Sequence, residues 1–238
     1  MDTSGSMMGD KLGTVNAAME DAIVRDLPEI SAANDDAEIR VAIMQFSSGC
    51  SWITPNSGPI PVGDVIWNDL TPNGITDFGA AFKELDSKLS RTGFLQSQTG
   101  AYAPMILLFS DGGPTDDWEG GLRQLKNNNW FKHAIKIAVA IGEDADRDVL
   151  AVFTGTPEAV IGVRDKQTLK ALIRKVCVRD SEFQSHSKQS SDVVTSAEDD
   201  SVAIVKDVVQ DITSGNADTS GGQPIDVSLD PAWGTDWD

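Results

Sequence analysis

Between residues 10 and 178 the apolar side chains switch repeatedly between two periods, and that alternation limits the fold more than any other feature. Leu12, Val15, Met19 and Ala22 recur at helical spacing and predict a helix ending near Pro28. IRVAIMQF at 39–46 is a nearly continuous apolar run, the pattern of a strand covered on both faces of a parallel sheet. A short strand near Trp52 follows, then a helix marked by Phe78, Phe82, Leu85 and Leu89, then a second buried strand, PMILLFS at 104–110. A weak helix around Leu122 and Leu125 leads to AIKIAVAIG at 134–142. A short helix near Val149, a strand at 158–163 and a helix through Leu169, Leu172, Ile173 and Val176 complete the series. Strands alternating with helices imply an α/β, Rossmann-like, doubly wound and mostly parallel sheet flanked by helices, with ligands beyond the carboxyl ends of the strands. The functional groups are therefore expected in the loops that follow strands.

The chain has 238 residues, which suits one domain with an appendage. No apolar run approaches the roughly 20 residues of a spanning helix, so a soluble chain is expected, with no membrane partner. A formal charge of −18 repels phosphate backbones and argues against nucleic acid. From Arg179 onward there are 13 acidic and 3 basic residues, a net of −10, leaving −8 for residues 1–178. That last quarter also holds Ser- and Gly-rich stretches, and it reads as an acidic, largely flexible tail at 179–238 behind a domain at 1–178. Within it, Val202, Val205, Val209 and Ile212 behind Ser196 predict a helix at 197–212, either docking a partner or packed on the parent domain. Trp233 and Trp237 lie in the acidic PAWGTDWD terminus, where aromatic anchors flanked by charge suit partner binding. Two cysteines, Cys50 and Cys177, are too few for a disulfide scaffold and fit a reducing cytosol.

Three loops carry the same kind of chemistry. DTSGSMMG at 2–9 offers Asp2, Ser4 and Ser6 at alternate positions, on one side of an extended backbone. NGITDFG at 73–79 brings Thr76 to the start of a helix, and FSDGGPTDDW at 109–118 places Asp111 at the end of a buried strand. Two carboxylates and three hydroxyls can converge there. Two carboxylates about 4 Å apart repel by about 4 kcal/mol at an effective dielectric near 20, and a cation resolves the conflict. All the donors are hard oxygens, which favours Mg2+ or Mn2+ over zinc or copper, and magnesium keeps several waters, leaving a position for a partner. Taken alone, DTSGS is a common turn or N-cap sequence; Thr76 and Asp111 in the matching loops change its meaning. Asp116 and Asp117 read as a helix N-terminal acid pair rather than ligands, and Asp77 as a first-turn acid.

DTSGS with the later Thr76 and Asp111 resembles the metal-ion-dependent adhesion site (MIDAS) of von Willebrand factor A (VWA) domains, pattern D-x-S-x-S with T and D, over residues 2–178. Within that family, DGGPTDDW is similar to the TDGxPTDxW loop of bacterial TerY-like proteins of tellurium-resistance and stress operons. The resemblance implies that Ser4, Ser6 and Thr76 approach the metal directly or nearly so. Asp2 and Asp111 act mostly through water, and a partner's Asp or Glu completes the shell. It further implies a cytoplasmic protein whose partner is a kinase, a phosphatase or another stress-operon product. One departure is plain: these domains have an apolar central strand before the motif, and here only Met1 precedes Asp2. The central strand is expected to be absent, through a misassigned start, a truncation or another segment taking its place.

No GxxxxGK[ST] loop, no GxSxG elbow and no histidine beside a nucleophile is found, since His133 and His186 lie far from these loops in sequence. The expectation is a non-enzymatic, metal-dependent protein-binding module. The alternatives are a Mg2+-dependent phosphohydrolase using Asp2, Asp111, Asp116 and Asp117, weakened by Ser4 where such motifs place a second Asp, and a surface adhesin subunit truncated at its N-terminus.

Overall fold

The strand β6 (Ile135–Ile141) is buried at all seven positions, and its side chains alternate between two apolar clusters. Ile135, Ile137, Val139 and Ile141 face one; Ala138 and Ala140 face the other. The alanines leave room on their side for large rings, and Phe82 and Phe153 stack there with centroids 5.6 Å apart. β6 pairs in parallel with β5 (Met105–Ser110) and with β7 (Val160–Val163), in the order β5-β6-β7. The computed structural model describes residues 1–33, 38–96, 103–186 and 196–214, and Trp233 and Trp237 lie outside them.

Helices cover both faces, as the doubly wound reading expects. Helices α3 (Phe78–Lys88), α4 (Trp118–Lys126) and α6 (Arg147–Thr154) pack on the alanine face, with α5 (Asn129–Lys132) between the last two in the chain. Helices α1 (Asp10–Asp21), α7 (Lys166–His186) and α8 (Ala197–Thr213) share the other cluster. A capping box starts α8: the Ser196 hydroxyl accepts from the Asp199 amide at 3.1 Å, and the Asp199 carboxylate accepts from the Ser196 amide at 3.3 Å. Ile204, Val205 and Val208 are buried on the parent domain. The buried Ser201 hydroxyl accepts the Lys136 amide of β6 at 3.1 Å, so α8 satisfies a sheet donor where β7 has no pairing residue. Among the described residues no helix is long and apolar enough to cross a membrane.

Two local expectations need correcting. The first helix does not end near Pro28: a π-helical turn at Ala22–Asp26 joins α1 to α2 (Leu27–Ala33). The Leu27 amide bonds back to the Ala22 carbonyl, so the ladder shifts by one residue just before Pro28, and the proline, which has no N–H to give, is carried inside a continuous helix by that bulge. The run at 39–46 is not one buried parallel strand. It divides into β1 (Arg40–Val41) and β2 (Met44–Ser47), paired antiparallel with β4 (Ile60–Pro61) and β3 (Gly49–Trp52) respectively. The break falls at Ile43, whose amide turns to the Thr54 hydroxyl at 3.0 Å while its carbonyl accepts from the Ile53 amide at 2.8 Å.

The other edge of β2 meets the segment that leads into the first loop. Among the described residues only Met1–Thr3 stands between β2 and β5: the Met1 carbonyl accepts from the Phe46 amide, the Thr3 amide donates to the Phe46 carbonyl and the Asp2 amide donates to the Phe109 carbonyl, at 3.0, 2.8 and 2.8 Å. Beyond Met1 the space between the two edges is a cleft of about 970 Å³, lined by Ile43, Met44, Met105 and Leu107 among others. The Met1 amine donates to the Met44 carbonyl at 2.8 Å, and burial pushes its pKa down to about 5 against the attraction of Asp2. Among the described residues, Met1–Thr3 thus fill the central position of the sheet at its carboxyl end, where the loops begin.

Asp21 ties α1 to α7. Burial alone raises a carboxyl, but Lys166 at 3.2 Å, with Lys170 and Arg25, outweighs it and holds Asp21 below the usual range. The folded-state value therefore lies below the unfolded one. The stabilisation is present above the ordinary Asp range, near pH 4, and is lost as pH falls through the depressed value. Asp21→Asn is expected to cost about 1 kcal/mol at neutral pH and to flatten the acid side of the stability profile. Urea melts of both chains at pH 7 and pH 3 check this, and parallel profiles would remove the pair from the account.

Candidate metal centre

The site is assembled where three loops leave the carboxyl ends of adjacent strands. Asp2 is fully buried and sits directly after the strand position held by Met1. One carboxylate oxygen accepts from the Ser4 amide at 2.8 Å, closing a tight turn that reverses the chain into a 3-10 turn at Gly5–Met7. The other accepts from the hydroxyl of Ser110, the last residue of β5, and the Ser110 oxygen in turn accepts from the Gly112 amide at 2.8 Å. Ser110 thus locks the first loop to the third.

Ser4 and Ser6 leave that turn with their hydroxyl oxygens 3.0 Å apart, and the Ser6 hydroxyl donates to Asp111 Oδ1 at 3.0 Å. Three of the five expected side chains therefore form one continuous chain of oxygens. Ser4 and Asp111, at its two ends, are buried, and Ser6 between them is exposed, so the chain of oxygens meets solvent at its middle. Asp2 lies beneath it, bonded to the same loop.

Thr76 arrives on the second loop and is also buried. Its amide donates to the Thr115 hydroxyl at 3.1 Å, and its carbonyl accepts from the Thr115 amide at 2.9 Å, binding it to the loop of Asp111. The Gly74 carbonyl accepts from the Gly5 amide at 3.1 Å, and the Asn73 amide donates to the Thr3 carbonyl at 2.8 Å, binding it to the loop of Ser4. Gly74 is required here: its φ is +65°, and a Cβ would lie 2.3 Å from the Ser48 hydroxyl. The second loop is thus sewn by main-chain bonds to the other two.

Burial pushes the Asp2 carboxyl above the usual carboxylate range and the negative charge of Asp111 adds to this, against the pull of the Ser110 and Ser4 donors. Such a pair calls for a positive charge. One is already supplied by Lys11 on α1, whose ammonium donates to Asp111 Oδ2 at 2.9 Å and also meets Asp144 at 2.9 Å. Partial burial works against that ammonium, but the bonds to Asp111 and Asp144 outweigh it and hold its pKa above the usual lysine value. The donor set of hydroxyls and carboxylates fits a hard divalent cation. Among the described residues no group of three or more His, Cys, Asp or Glu could hold a metal, so any such site here depends on the hydroxyls.

The acids set aside as helix-terminal residues have more particular duties. Asp117 caps α4, accepting from the Gly120 amide at 3.2 Å. Asp116 reaches across to α3 and accepts from the Gly79 and Ala80 amides at 3.0 and 3.1 Å. Asp77 precedes α3 and accepts from the Gly49 amide at 2.8 Å, pinning the turn of the β2–β3 hairpin. Sequence reasoning passed over Ser110 and Lys11. The first stood beside Asp111 at a strand end; the second is a lone cation one residue into a helix that follows a cluster of oxygen donors.

No family model and no curated protein matches the chain. Solved structures do. Proximal thread matrix protein 1 from the mussel byssus aligns with a TM-score of 0.53 at 19% identity, over 74% of this chain and 44% of that one. A form of the same protein with zinc in its MIDAS motif aligns with a TM-score of 0.52 at 16% identity, over 73% and 44%. The chain therefore spans less than half the length of these mussel structures. The likeness extends to the fold, and the fold is that of a VWA domain.

Ser110 is buried with no exposed surface, and its removal leaves both an Asp2 oxygen and the Gly112 amide without their partner. Ser110→Ala is expected to cost about 1–3 kcal/mol in chemical denaturation. A loss within the error of the measurement would show that Asp2 is held by other means.

Proposed function

We propose that this protein is a metal-dependent protein-binding module whose site takes one divalent cation and, through it, an acidic side chain of a partner. The observation that carries this is the unbroken run Ser4, Ser6, Asp111 over a buried Asp2, oxygens on oxygens, reaching the surface at Ser6. Ser4, Ser6 and Thr76 with Asp2 and Asp111 would hold the ion, and it would supply positive charge and an open coordination position. The donor set favours Mg2+ or Mn2+, while the mussel protein of like fold carries zinc in its motif.

Binding rather than catalysis is the reading the residues favour. The cluster is made of hydroxyls, carboxylates, main-chain amides and one ammonium, and Ser4 stands where a phosphohydrolase of the double-aspartate type places its second carboxylate. The partner contributes Asp or Glu, because a carboxylate is the anionic oxygen ligand that a hard cation attracts from a protein surface. The chain's −18 charge repels acidic partners elsewhere, which makes the cation the point of contact. The DGGPTDDW loop supports a finer reading, a TerY-like role in a bacterial tellurite or stress response with a kinase or phosphatase as partner. Two cysteines are too few for a disulfide scaffold, in keeping with a cytoplasmic place of work.

Calorimetric titration with Mn2+ is expected to give one cation per chain. Ser4→Ala and Asp111→Ala are each expected to weaken that binding at least about tenfold, the loss of a charged or direct oxygen donor. Capture of partners on the immobilised protein is expected to fail in EDTA and to return with Mg2+. Capture indifferent to chelator would take the metal out of the function.

A further inference from the structure

Lys11 stands in the first turn of α1, and its ammonium is shared between two unlike carboxylates. Asp111 is 4% exposed and belongs to the oxygen cluster; Asp144 is 74% exposed and lies in the loop after β6. The ammonium is 2.9 Å from an oxygen of each. Its path is shaped by the backbone: Gly142 has φ of +91°, and a Cβ there would come within 2.9 Å of Lys11 Cε. The lysine stem therefore passes over a bare stretch of main chain that a side chain would block. Ser6 takes the second oxygen of Asp111, so the carboxylate is fully engaged.

A divalent ion drawn to Asp111 and an ammonium 2.9 Å from the same carboxylate repel one another. We propose that Lys11 is a tethered competitor for the cation, and that Asp144 is the berth to which its ammonium withdraws when the ion binds. This rests on the metal reading above and adds its regulation. The affinity of the site is set by how readily Lys11 gives up Asp111, and Asp144 lowers the cost of that exchange. The coupling is reciprocal: whatever draws Lys11 onto Asp144 tightens cation binding, and the bound cation strengthens the Lys11–Asp144 pair.

The test is Mn2+ titration by calorimetry of the full chain at constant ionic strength, for the parent, Lys11→Met, Lys11→Arg, Asp144→Asn and the Lys11→Met/Asp144→Asn pair. Lys11→Met keeps the stem and removes the charge, and is expected to bind the ion at least about tenfold more tightly. Lys11→Arg keeps the charge and is expected to stay near the parent. Asp144→Asn is expected to weaken binding several-fold beside Lys11 and to change it little beside Met, an interaction energy the double-mutant cycle isolates. Thermal melts supply an independent readout: without divalent ion Lys11→Met melts below the parent, and saturating Mn2+ reverses the order. If the parent binds Mn2+ and Lys11→Met binds equally or more weakly, the competitor is overturned while the metal site stands. If Asp144→Asn acts equally in both backgrounds, the berth is overturned. If no chain binds Mn2+, the metal reading falls and this proposal with it.

Discussion

Three residues bond two pieces of sheet to one another. Met1, Asp2 and Thr3 bond on one side to Phe46 and on the other to Phe109, and so join the β2–β3 hairpin to the parallel sheet of β5, β6 and β7. The same three residues deliver the chain into the turn of Ser4 and Ser6. Fold and site therefore share one short piece of backbone. Asp2 bonds to β5 twice: its amide donates to the Phe109 carbonyl, and its carboxylate is held by Ser110 at the end of the same strand. A carboxylate with no solvent exposure is costly to bury, and here its two oxygens are met by donors from two different loops.

The order of these loops follows from doubly wound topology. Parallel strands bring their carboxyl ends to one edge, so residues distant in sequence meet there without long excursions of the chain. Ser6 and Asp111, 105 residues apart, are in hydrogen-bond contact for that reason. Thr76 needs more help because it follows a long irregular segment, and Asn73, Gly74 and Thr115 hold its loop in place by main-chain and hydroxyl bonds.

Much of this was legible in the sequence because burial imposes periodicity. β5, β6, β7 and their covering helices are marked by runs of Ile, Val and Leu or by residues at helical spacing, and each appears close to its expected place. The oxygen cluster could be read from Asp2, Ser4 and Ser6 at alternate positions. What could not be read depended on neighbours. Residues 39–46 have the composition of a central strand, yet they pair antiparallel with β4 and β3 and break at Ile43, whose amide turns to the Thr54 hydroxyl. Pro28 is a helix breaker by rule and is passed by a one-residue shift in the ladder, which leaves no mark in residue type. Lys11 and Ser110 are ordinary residues given their roles by groups from elsewhere in the fold.

The join through Met1–Thr3 has a mechanical side. Those bonds run across the direction of the strands, so a load that draws the hairpin along the sheet strains them together in shear, while one that peels it away takes them in turn. In either case α3 takes part of the load, because Phe46 packs edge-on against Phe78, Asp77 accepts from the Gly49 amide and Trp52 donates to Glu84. Tension on this side of the molecule is thus shared between the main-chain bonds of Met1–Thr3 and the packing of Phe46 on α3.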